Sequence, residues 1–266
     1  MENTPAVHSS ASTEVESAKQ FAPYVNPCEW GQVADANTPG STSSHYPLAH
    51  KTFVAQIKSS LGNSGYRIEK EAHQLTHNGD RYVGVMKLVR DTTQQSLFGD
   101  NDEGGGLLLG ARNSHDKAWS TGIISGAHLS VCSNGLFNGE VKIARKHTRH
   151  LLRDLPDLCE GAIRRFNIAA QKQCEQIAAY KQCELTTREA NDIMIKALEG
   201  GAITASKLPK VIKAYKESPH PEFRDRNMWS LTNAFTEVYK EMSVDNVMSR
   251  SFNLHNVMDS HVALAS

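Results

Sequence analysis

A chain of 266 residues, 39% of them apolar, is long enough to fill an ordinary hydrophobic core, and its 29 basic residues balance 29 acidic ones, so overall charge alone does not make it a nucleic-acid binder. No window approaches the run of about 18 apolar residues that a membrane span needs, and the first residues lack the charged start and apolar centre of a secretory signal, so a cytoplasmic chain with no membrane partner is expected. The five cysteines (Cys28, Cys132, Cys159, Cys174 and Cys183) are odd in number and never spaced Cys-x-x-Cys, which argues for reduced, packed thiols rather than a disulfide framework or zinc ribbon.

Residues 1–44 are rich in Ser, Thr, Ala, Asn and Pro and carry five acids against the single Lys19, which reads as a flexible acidic arm. Tyr24 and Trp30 are placed to pin its middle to the body. From Leu48 the apolar residues Phe53, Val54, Ile57 and Leu61 recur at helical spacing until Gly62 and Gly65 stop the run. Tyr66 to Thr76 and Tyr82 to Val89 then predict a hairpin closed by His77-Asn-Gly-Asp80. Leu97 to Gly106, acidic and glycine-rich, reads as a connector.

Leu107 to Asn113 and Trp119 to Val131 predict two more strands, the second alternating so that one side is covered. Asn134-Gly135 and Asn138-Gly139 each suit a tight turn, and Val141 with Ile143 suggests a short further strand. The period then changes. Pro156 suits a first helical turn, and Leu158, Cys159, Ala162, Phe166, Ala169, Ile177 and Tyr180 form a long apolar stripe. Thr186 with Glu189 reads as a capping box opening a helix through Leu198. Helices follow over Leu208 to Tyr215 and Asn227 to Met242, and 243–266 is either a last helix or a tail. The expected fold is α+β: an antiparallel meander sheet packed by helices on one face, followed by an all-helical C-terminal half. Its expected parts are the arm (1–44), a sheet core (45–153) and a helical region packing on that core (154–266).

The chemistry-bearing residues concentrate after the sheet. Lys142, Arg145, Lys146, Arg149 and Arg153 put five bases and no acid between Val141 and Arg153, the pattern that phosphate contacts require. The alternative is a solvated or protein-binding face. His147 and His150 have no nearby third ligand, and the cations around them oppose a metal. In Asn113-Ser-His-Asp-Lys117, polar residues suit a turn between strands, and Arg112 and Lys117 supply further phosphate contacts, with His115 and Asp116 beside them. A general base at His115 is the enzymatic alternative, without a recognisable nucleophile. Lys207, Lys210, Lys213 and Lys216 form a stripe that most simply reads as a solvated face. Tyr66, Tyr82, Trp119 and Phe137 are the aromatics available to stack on unpaired bases, most of them expected in the core.

The segments RNSHDK (112–117), VCSNGLFNGEVKIARKHTR (131–149) and WSLTNAFTEVYK (229–240) resemble the phage and plasmid family known as domain of unknown function 932, which implies a mobile-element origin rather than a chemistry. The order of elements, with NSGYRIEKEAHQLTHNGDRYVGV at 63–85, is also similar to the core of the Rad-type single-strand annealing proteins. That resemblance implies rings that hold unpaired DNA in a cationic groove, with Lys142, Arg145, Lys146, Arg149 and Arg153 on the backbone. The function expected is therefore a non-enzymatic single-stranded-DNA-binding or strand-annealing protein of a phage or other mobile element, a homo-oligomer in the bacterial cytoplasm, needing no metal or nucleotide cofactor. The rival expectation is an interaction protein that inhibits a host defence factor.

Overall fold

The computed structural model describes residues 8–90, 106–129, 134–218 and 220–265. Five strands, β1 (Tyr66–Thr76), β2 (Arg81–Arg90), β3 (Gly106–Ser114), β4 (Thr121–Leu129) and β5 (Asn134–Arg145), form one antiparallel sheet in that order, so the fold is an α+β meander. The β1–β2 hairpin turns where His77, Asn78 and Gly79 take φ of 54°, 57° and 90°, a left-handed stretch that Asn and Gly tolerate best. Strand β5 begins at Asn134 and runs through both Asn-Gly pairs, which therefore do not form the expected turns. The chain between β4 and β5 lies outside the described residues.

Register in the hairpin runs from Thr76 opposite Arg81 to Tyr66 opposite Arg90, shifting once between Ile68 and Lys70. The additional residue at that shift, Glu69, meets the ammonium of Lys87 at 2.9 Å. The Lys87 side chain is only 7% exposed, so the bulge aims a carboxylate at a cation that would otherwise be buried alone. Burial in β2 goes further than a sheet covered on one face requires, since every residue from Tyr82 to Leu88 is buried.

Helices and buried residues occupy 8–35, within the stretch where a flexible arm was expected. Helix α1 (His8–Phe21) packs on β1, α2 (Trp30–Asp35) follows, and Phe21, Ala22, Tyr24, Val25 and Val33 are buried. Lys19 closes α1 by donating to the carbonyls of Pro23 and Val25. Cys28 pairs with His73 as an antiparallel bridge, and the Asn26 N–H donates to the Gln74 side chain. The apolar run from Phe21 to Val25 is too short to show a period, yet it buries enough surface to hold the segment. Helix α3 (His50–Asn63) carries the predicted stripe inward.

The second half consists of α4 (Leu151–Gln182), α5 (Thr187–Glu199), α6 (Leu208–Lys216), α7 (Met228–Tyr239) and α8 (Val244–Ala265). Helix α4 starts five residues before Pro156, so the ring removes the hydrogen bond that the carbonyl of Leu152 would accept. The Thr186–Glu189 capping box forms as expected. Helix α7 is buried on all sides from Met228 to Thr236, and its polar residues turn back on the backbone: Thr232 donates to the Met228 carbonyl, Asn233 to that of Trp229 and Thr236 to that of Asn233. The distinctive string WSLTNAFTEVYK is thus a core helix.

The chain divides into two compact units that are not consecutive pieces, Met1–Thr92 with Leu109–Ile123 and Ile143–Arg164, and Thr93–Leu108 with Ile124–Lys142 and Arg165–Ser266. Among the described residues, no helix is long and apolar enough to cross a membrane. In the first unit Gly84 lies opposite His73, and the Tyr82 ring folds over it so closely that a Cβ there would run into the phenol. Gly84→Ala should therefore destabilise the protein by about 1–3 kcal/mol, the usual cost of overpacking, as read from urea unfolding.

Candidate nucleic-acid interface

Between the end of β5 and the first turn of α4, every Lys and Arg is exposed. Arg145, Lys146, Arg149 and Arg153 are exposed, whereas His147 and Leu151 are buried. The inward pair anchors the segment and leaves four cations on its outside. Lys142 sits in β5, but its side chain lies outside the described residues. The expected acid-free ledge needs one correction. Asp154, one residue beyond the basic run, accepts from Arg153 at 2.8 Å and Arg145 at 3.2 Å. These cations, Arg153 foremost, hold its carboxyl below the usual carboxylate range, and it occupies the first turn of α4, where the helix dipole favours an anion. Arg149 donates to the His150 ring, and Lys146 makes no ion pair among the described residues.

His147 is held by a network centred on Asn113, at the end of β3. The Asn113 amide nitrogen donates to the Leu48 carbonyl at 2.7 Å and to Nδ1 of His50 at 2.9 Å. Its oxygen accepts from the Thr121 hydroxyl and from Nε2 of His147, both at 2.9 Å. Both donors and both lone pairs are used. Because a carbonyl only accepts, the Leu48 contact fixes which way the amide points. The His50 tautomer follows too, since its Nε2–H must donate to the Gly79 carbonyl at 2.9 Å, leaving Nδ1 as the acceptor for Asn113. His115 Nε2 donates to the same Leu48 carbonyl, and its ring stacks on that of His50 at 4.0 Å between centroids. His45 Nε2 donates to the His115 carbonyl, with its ring 5.1 Å from that of His147.

The arrangement favours neutral imidazoles. Burial, followed by the neighbouring His115, lowers the His50 pKa from 6.5 to about 4, against a smaller opposing pull from the Gly79 carbonyl and Asp80. Burial, followed by His45, His115 and His50, lowers that of His147 to about 4. A proton on His50 Nδ1 would face the Asn113 amide, donor against donor, and one on His147 Nδ1 would have no acceptor among the described residues. Nor do the rings converge on a cation: no group of three or more His, Cys, Asp or Glu among the described residues is arranged to hold a metal. His147 is buried and His150 exposed, so the two do not act as a ligand pair.

In the turn between β3 and β4, His115 and Asp116 part company. His115 is buried in the network, while Asp116 accepts from Arg81 at 2.6 Å and from the Ala118 N–H. Lys117 is exposed at φ 65°, and Arg112 lies over the Trp119 ring at 5.9 Å. A second acid–base row, Glu71 with His73 at 3.4 Å and His73 with the Tyr82 hydroxyl at 2.9 Å, has the order of a catalytic relay. Tyr82 is fully buried, and burial raises its pKa far above the ordinary phenol value, so no substrate reaches that hydroxyl. Lys207 and Lys210 both pair with Glu241, as a solvated face would. Of the aromatics picked out for stacking, Tyr66 and Tyr82 are buried, the Phe137 side chain lies outside the described residues, and Trp119 is half-buried.

Comparison with protein-family models, with curated proteins and with solved structures finds no match. The site therefore rests on its own geometry. Sequence reasoning missed Asn113 as the hub, with His45, His50 and Thr121, and it missed Arg81 and Asp154 at the surface. His50 had a visible signal, since it continues the α3 apolar stripe one turn before Phe53 and Val54.

Two outcomes follow from the network. Unfolded histidines take up protons below about pH 6.5 while folded His50 and His147 resist until about pH 4. The share of stability that these two histidines carry should therefore be full above pH 6.5, fall between 6.5 and 4 by on the order of 3 kcal/mol per histidine, and level off below that, as followed by urea unfolding across that range. Asn113→Asp sets a carboxylate against the Leu48 carbonyl, so it should cost roughly 2–3 kcal/mol at neutral pH and raise the His50 pKa, as read from imidazole NMR titration.

Proposed function

We propose that this chain is a non-enzymatic single-stranded-DNA-binding or strand-annealing protein of a phage or other mobile element, acting in the cytoplasm of a bacterial host. The observation that carries the reading is the outward set Arg145, Lys146, Arg149 and Arg153, held by the buried His147 and Leu151. Four cations meet one carboxylate, and the side chains of Arg145 and Arg153 remain 48% and 72% exposed despite their ion pairs with Asp154. Exposed pairs of this kind are worth at most about 1 kcal/mol, so a phosphate can replace the carboxylate at little cost while releasing condensed counterions. Arg112 near the end of β3 and Lys117 in the β3–β4 turn extend the surface. Backbone capture leaves bases free to pair, which is all that annealing requires, and no metal or nucleotide enters the step. The similarity to the Rad-type annealing core points the same way, and a ring or row of copies would string these surfaces along one strand.

A protein partner is the second reading. It is favoured by Leu152, 61% exposed between Arg149 and Arg153. A host protein that stays on the immobilised chain after nuclease treatment, and is released by Leu152→Asp, would support it.

Titration of a labelled single-stranded oligonucleotide at rising salt tests the first reading. Affinity should fall steeply with salt, and Arg145→Ala/Lys146→Ala/Arg149→Ala should lower the slope of log K against log salt by about 2, at about 0.7 per phosphate contact on a single strand. A slope unchanged by the triple variant would remove the basis for the proposal.

A further inference from the structure

We infer that Trp119, between Arg81 and Arg112, is a stacking platform for an unpaired base. The inference rests on the single-stranded-DNA reading above and adds a site that reads bases rather than phosphates. The Arg81 guanidinium lies 5.4 Å from the indole centroid and that of Arg112 5.9 Å. The turn carrying the ring is tied down on every side. Ser114 accepts from the Trp119 N–H at 3.0 Å and donates back to its carbonyl, the Asp80 carbonyl accepts from the His115 N–H at 2.7 Å, and Asp116 accepts from Ala118. Asp116 also holds Arg81 at 2.6 Å. A rigid aromatic that stays partly exposed loses little freedom on binding.

The two guanidiniums differ in how they are held. Arg81 is tethered by Asp116, whereas the indole is the only partner described for Arg112. A guanidinium over an aromatic at a wet site is held more weakly than a base stacked there. An incoming base therefore displaces Arg112 from the ring, and the released guanidinium is free to meet the adjoining phosphate, with Lys117 exposed two residues before Trp119. The platform also adjoins the basic run. Trp119 is two residues from Thr121, at most about 7 Å of chain, and the Thr121 hydroxyl lies 2.6 Å from Nε2 of His147, next to Lys146. One strand can therefore lay its phosphates on Lys146 and Arg149 and turn a base onto Trp119.

The test uses the full chain with a single-stranded oligothymidylate and an abasic strand of equal length and charge, against wild type, Trp119→Ala, Trp119→Phe and the Arg145/Lys146/Arg149 triple alanine variant. Trp119→Ala should weaken oligothymidylate binding roughly tenfold, within the range for one lost stack, with the abasic strand unaffected and Trp119→Phe retaining most of the affinity. The intrinsic fluorescence quenched by oligothymidylate in wild type should be largely lost in Trp119→Phe. Equal oligothymidylate affinity in wild type and Trp119→Ala would overturn the platform while leaving phosphate capture intact if the triple variant still fails. Equal losses on the abasic strand, or loss in Trp119→Phe as great as in Trp119→Ala, would also overturn it, since neither is stacking. Absence of binding to either strand by wild type would overturn both readings.

Discussion

A single side-chain amide holds the first unit in register. Asn113 satisfies all four of its hydrogen-bonding positions with groups drawn from the chain before α3, from α3 itself, from the start of β4 and from the loop after β5. Each bond adds only about 1 kcal/mol net, but a buried group left without its partner costs more than that, so the set is stable only as a whole. A buried amide with all four positions satisfied admits one arrangement where an apolar side chain of the same volume would admit several. Here it decides which way the loop after β5 faces.

That choice is what gives the surface its character. With His147 committed inward, its neighbours Arg145, Lys146 and Arg149 have only the outside to occupy. At the start of β4, Thr121 joins the network, while Trp119, in the turn before the strand, stays half in solvent between two arginines. His50 and His147, held neutral by burial, also keep further positive charge out of the interior, where it would oppose the arginines. Stability and the proposed binding thus draw on interspersed residues of the same short segments, not on separate regions.

How much of this was legible depends on the reach of the interactions. The hairpin from Tyr66 to Arg90, the α3 stripe and the Thr186 capping box are local patterns, and the sequence reading placed them closely. His115 and His147 looked like surface residues because their partners lie 67 and 34 positions away, beyond any periodicity. Two Asn-Gly pairs suggested turns, but β5 passes through both, since pairing along a strand overrides a local preference. The basic run was recognised and its one carboxylate was not, because Asp154 belongs to the first turn of the next helix. The folded segment before α3 escaped notice because its buried residues form clusters too short to carry a period.

The Cys28 bridge to His73 bears on how copies of this chain can meet. An outermost strand normally offers a free row of amides and carbonyls to any neighbour, and β1 is eleven residues long, ample for such recruitment. With Cys28 seated at its middle and α1 packed on it, β1 is blunted as a template. Sheet continuation from one molecule into another would have to begin at β5, the strand that leads directly into the arginines.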